Sequence, residues 1–296
     1  MTPPRPALEG TSSLQLGTYS RLVVTDADSS AGDMVPSDPA EPKSPVISRG
    51  RMYFDFGLRL LFAYQHELAA KVFLACLQLS PGCALAHAMV ALCHSPNYNF
   101  KGDAYYSSTD HSGDGTGDGD GVNEGGERDV QVEDPFPSQQ VATKHARLGK
   151  EKANMHMRGE REPSQWQQQV SNVESDIIEA ISVLTAHPGI DPAKAVDMVS
   201  RPYANAMKEV YRCHPGDADV AYFYIESLMV LNAWRLYEYP TGRPLTPDVH
   251  EIRSVLEHGL ALYPEHAGLC HLYVHLSEMS DNPGKALQAC NSLRSR

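Results

Sequence analysis

From Met52 to Leu79 the apolar residues fall three or four positions apart: Phe54, Leu58 and Leu61, then Ala69, Phe73, Cys76 and Leu77. That spacing lines one side of a helix and predicts two amphipathic helices with AYQHEL as the turn between them. Pro81 closes the second helix, and CALAHAMVALCH begins a third. The rhythm returns downstream, where Pro215 ends MKEVYRCHP before DADVAYFYIESLMVL, and Pro264 ends VLEHGLALYP before AGLCHLYVHLSEM. Residues 138–158 and 164–187 carry further helical periodicity, and 192–213 reads as one long helix or a pair bent at Arg201-Pro202. No segment alternates like a strand. The fold class expected is all-α, helix pairs punctuated by prolines and stacked as an α-solenoid.

Two stretches fall outside the pattern. Residues 1–48 are rich in Pro, Ser, Thr and Asp and read as a disordered N-terminal segment. Residues 101–137 read as a disordered, acidic, Gly-rich insertion that interrupts a helical domain spanning 49–296. Between 103 and 134 stand ten Asp and Glu against one Arg, so most of the net charge of −12 belongs to this insertion. Within it DHSGDGTGDGDGVNEGGE offers Asp114, Asp118 and Gly119 to a calcium loop, but Gly125 stands where the bidentate Glu belongs, and a solvated loop is the better reading. Without clustered Lys and Arg the chain is not expected to bind nucleic acid. No apolar run reaches the length of a signal peptide or a membrane span, which points to a cytoplasmic protein without membrane attachment. The six cysteines are scattered, mostly among Ala and Leu, and read as buried thiols rather than a disulfide framework.

The stretch YFDFGLRLLFAYQHELAAKVFLACLQLSPGCALAHAMVALCHSPNYN resembles a tetratricopeptide repeat. With Gly50 as first position, Tyr53 takes the aromatic place of the first helix and Gly57 its small residue. Ala69 and Cys76 take the small places of the second helix, Phe73 its aromatic and Pro81 the closing proline. GLRLLFAYQHELAAKVF, PNYN, YANAMKEVYRCHPGDADVAYFYIESLM and HLYVHLSE together look like a family of largely uncharacterised repeat proteins of this kind, over most of 49–296. The resemblance implies a protein-interaction scaffold whose first helices line a concave groove. Taking Ala267 as a first position, His271, His275 and Glu278 would face that groove, with Tyr222 and Glu226 of the preceding unit beside them.

The spacing of His271, His275 and Glu278 at i, i+4 and i+7 puts all three on one helix face whatever the family. Two imidazoles and a carboxylate also suit a divalent metal such as Zn²⁺. The sequence thus leaves two functions open: a peptide-binding groove built from Tyr222, Glu226, His271, His275 and Glu278, joined by Asn97 and Asn99 of SPNYNF, or a metal-dependent, hydrolase-like enzyme on the same residues. Asn97 and Asn99 have a purely structural reading too, as turn formers at a helix end. No catalytic residue is assigned, and no cofactor beyond that divalent metal is implied.

Overall fold

The structure, a computed structural model, describes residues 49–100, 138–158 and 170–294, which are mostly helical. The segments expected to be disordered, 1–48 and 101–137, lie outside the described residues. Helix α1 (Arg49–Phe62) turns through three residues into α2 (His66–Leu79), and the two pack along their length. A Cβ at Gly57 would meet the Phe73 ring at 2.6 Å, so the close approach expected there depends on glycine. Helix α3 (Ala84–Cys93) is buried from end to end, because both α2 and α4 (Gln139–Met157) cover it. The backbone N–H of Ser138 donates to Nδ1 of His94 at 3.3 Å, so the end of α3 adjoins the start of α4.

Helix α5 (Asn172–Ser182) packs on α3 and α4. Its start is fixed by Ser171 and Glu174, each side chain accepting a backbone N–H that the first turn leaves free. Helix α6 (Pro192–Ala195) opens with Asp191 as N-cap and Pro192 in the first turn. The bend expected at Arg201-Pro202 takes the form of a π turn, Val196–Ser200, leading into α7 (Arg201–Cys213). Pro202 has no N–H to return to the carbonyl four residues earlier, and the wider turn absorbs that loss.

Helix α8 (Ala218–Leu231) is sandwiched by α7, α9 (Asp248–Leu262) and α10 (Ala267–Glu278), which explains why its sequence is apolar on nearly every face. A 3₁₀ turn, Pro283–Ala286, and α11 (Leu287–Arg294) close the described chain. One difference from the expected strand-free fold is small. Tyr237–Glu238 (β1) pairs antiparallel with Arg243–Pro244 (β2) inside the Pro/Gly-rich connection, through a turn that places Gly242 at φ +67°. Cys76, Cys83, Cys93 and Cys270 are buried thiols as expected, whereas Cys213 is exposed at the end of α7.

Helix packing also joins regions far apart in sequence. The Phe62 ring, at the end of α1, lies 4.6 Å from that of Tyr222 on α8 and 4.9 Å from that of His266, the N-cap of α10. A Cβ at Gly268 would meet Tyr222 at 2.6 Å and Phe62 at 2.9 Å. The first helix of the domain is thereby seated directly on the last two helix pairs.

Candidate functional site

The end of α1 leaves carbonyls without helical partners. One of them, that of Phe62, accepts a hydrogen bond of 2.7 Å from Nδ1 of His271 on α10. One turn along, His275 Nε2 stands 3.0 Å from His271 Nε2, and His275 Nδ1 stands 2.8 Å from a carboxylate oxygen of Glu278. The three residues expected on one helix face are therefore joined in one chain of contacts, anchored at one end on α1. Burial pushes the pKa of His271 below the usual imidazole value, the Phe62 carbonyl opposing that shift.

Aromatic rings frame the two imidazoles. Tyr64, from the α1–α2 turn, lies 5.0 Å from His271 and 6.1 Å from His275. Tyr98 lies 5.4 Å from His275 and stacks at 5.3 Å on Trp234, itself 6.2 Å from His275. Tyr64 (φ 58°) and Trp234 (φ 59°) hold the left-handed conformation that bulky side chains avoid, and they are the non-glycine residues that do so among the described residues. Strain of this kind persists only where packing over-determines it. Here both instances fall on the walls of one site.

Tyr222 and Glu226 occupy a different setting from the open groove expected. Both are buried, because α7, α10 and the α1–α2 turn cover that wall of α8. Glu226 shows no imidazole partner among the described residues. Its electrostatic neighbours are Tyr64, Tyr203 and Tyr222, and one carboxyl oxygen has no hydrogen-bond partner. Desolvation raises its pKa to about 8, so the carboxyl is neutral at pH 7. The helical register of Glu226 was readable from sequence, but what covers it was not.

Asn97 and Asn99 sit where structure and function meet. The Asn97 side chain accepts from the backbone N–H of Asn99 at 2.9 Å, and Asn97 exchanges two backbone bonds with Phe100, so the turn-forming reading holds. The same turn carries Tyr98 against His275, and Asn97, Asn99 and Phe100 line a cleft of about 450 Å³ with Tyr64, His66 and Lys71. Sequence reasoning missed Tyr64, His66, Tyr98 and Trp234. His66 is the most unusual of them: it is buried, neither ring nitrogen has a partner, and burial lowers its pKa to about 4. Helix α2, which begins at His66, has no side-chain cap at its N-terminus.

Compared with known proteins, the chain matches no family model, no curated protein and no solved structure. No helix among the described residues is long and apolar enough to cross a membrane.

Proposed function

We propose that the chain is a tetratricopeptide-like α-solenoid that serves as a non-enzymatic interaction scaffold, taking a short peptide segment into the cleft between the start of α2 and the 97–100 turn. The solenoid reading is supported by helix pairs that pack on their neighbours in chain order and by Gly57 meeting Phe73 where two repeat helices would cross. The observation that carries the docking reading is His66, a lining residue of the cleft beside the uncapped end of α2, whose two ring nitrogens are buried and have no partner. Leaving a buried polar group unsatisfied is costly, about 1–3 kcal/mol, and an acceptor that reached the one ring N–H would recover part of it. The first N–H groups of α2, the His66 imidazole and the amides of Gln65 and Asn99 are donors, and the Lys71 ammonium, which holds Glu67 of the same lining at 2.8 Å, adds positive charge. They suit a segment presenting carboxylates or free carbonyls.

Panning a peptide display library on the full chain tests this. A recurring acidic motif should be enriched by the wild type and lost with a Lys71→Glu/Asn99→Ala variant of unchanged circular dichroism. Identical enrichment by the two proteins, or none by either, would remove the proposal.

A further inference from the structure

The proton positions around His271 and His275 pose a problem that the docking reading does not touch. The Phe62 carbonyl can only accept, so Nδ1 of His271 carries a hydrogen. Ionised Glu278 can only accept, so Nδ1 of His275 carries one as well. Two neutral imidazoles so anchored turn bare lone pairs toward each other across 3.0 Å between their Nε2 atoms. Lone pairs at that distance repel unless a shared proton or a metal ion sits between them.

We propose that His271 and His275 form a two-imidazole site for a divalent transition metal of the zinc, copper or nickel class, with Glu278 as the group that orients His275 rather than as a ligand. The observed separation fits. At metal–nitrogen distances of about 2.0–2.1 Å, two ligands lie about 2.9 Å apart at a right angle and about 3.3 Å apart at a tetrahedral one; the two nitrogens here are 3.0 Å apart. The ring centroids are 4.8 Å apart, closer than a head-on arrangement of two five-membered rings would give, so the two rings meet at an angle.

Both far nitrogens are fixed as metal-bound imidazoles usually are, one by a backbone carbonyl and one by a carboxylate. Spacing at i, i+4 on a helix is the same that lets paired histidines chelate zinc elsewhere. Glu278 cannot complete the set, because it meets His275 on the nitrogen opposite the shared point. The remaining positions fall to water or to a donor from outside, and the pair is not fully sealed, the His275 side chain being 15% exposed. Tyr64 and Trp234, held in left-handed conformations, keep the two rings from swinging apart.

The test is metal titration of the full chain with Zn²⁺ and Cu²⁺. One equivalent should bind, raise the unfolding temperature, and in the Cu²⁺ form give an electron paramagnetic resonance spectrum with coupling to two nitrogens. The His271→Ala/His275→Ala variant should lose that equivalent. Glu278→Ala should keep the stoichiometry while weakening affinity about 10–100-fold, as loss of an orienting partner does. Coupling to fewer than two nitrogens in the wild type, which needs no variant to fold, would overturn the proposal. So would equal uptake by the wild type and the double variant, and unchanged affinity in Glu278→Ala would overturn the orienting role.

Discussion

Among the described residues two pairs of histidines are in contact at 3.0 Å, and they differ in what stands behind them. In the first, His87 of α3 meets His145 of α4 through their Nδ1 atoms, and His87 Nε2 faces only the Pro81 carbonyl, at 3.2 Å. Neutral rings satisfy every one of those contacts: His145 donates to His87, and His87 donates to Pro81. In the second pair both rings have acceptors behind them, and neutral rings leave two lone pairs opposed. The same distance therefore marks a finished hydrogen bond in one place and two opposed acceptors in the other. What separates a structural histidine pair from a candidate ligand pair is the partner on the far nitrogen, not the approach of the rings.

The strongest way to break the comparison is to remove what seats α1 on α10. Phe62→Ala deletes a buried ring packed on Tyr222 and His266, and should cost about 3–5 kcal/mol, seen as a lower urea midpoint. It should leave the His87–His145 pair intact, a point that histidine NMR signals can check.

Next in size is the pH response of Glu226, buried on α8. The Glu226 pKa is raised by burial to about 8 from 4.5. The folded chain then holds a proton that the unfolded chain has lost, so stability from this group is complete below pH 4.5 and declines as pH rises to about 8. Glu226→Gln should remove that decline and stabilise the protein at pH 8 by about 2–4 kcal/mol, measured as the pH dependence of the unfolding free energy.

The first pair should respond in the opposite direction and somewhat less. Burial lowers the pKa of His145 to about 4, with the charge of His87 adding to the effect. Here the unfolded chain takes up the proton first, so stability is complete above pH 6.5 and falls as pH drops toward 4. His145→Gln keeps an amide donor for His87 and should reduce the acid loss by up to about 3 kcal/mol in the same measurement. A wild-type curve without opposed acid and alkaline limbs would show that the two regions do not differ as described.

The helices were readable from the chain because the buried face of each repeats at the helical period: Phe54, Leu58 and Leu61 on α1 are all buried. The π turn before Pro202 was legible only as a break, since the proline announces a lost bond but not how the backbone accommodates it. At the site, the shared face of His271, His275 and Glu278 followed from spacing within one helix. Their anchor on the Phe62 carbonyl did not, because residues 62 and 271 are separated by 209 positions and a carbonyl has no sequence signature. Tyr64, His66, Tyr98 and Trp234 stand in turns or at helix ends, where no periodicity reveals which way a ring points. Tyr222 and Glu226 were placed on the correct helix but on a wall taken to be open, because the covering residues come from three other elements.

The seating of Phe62 between Tyr222 and Gly268 also sets an order of events during synthesis. Helix α1 leaves the ribosome long before its cover exists, and its exposed aromatic end must wait for some two hundred residues to follow. A stack whose neighbours alone touched could mature piece by piece; this one cannot finish its first helix until its last pairs arrive, and the unfinished interval is when a nascent chain most needs shielding.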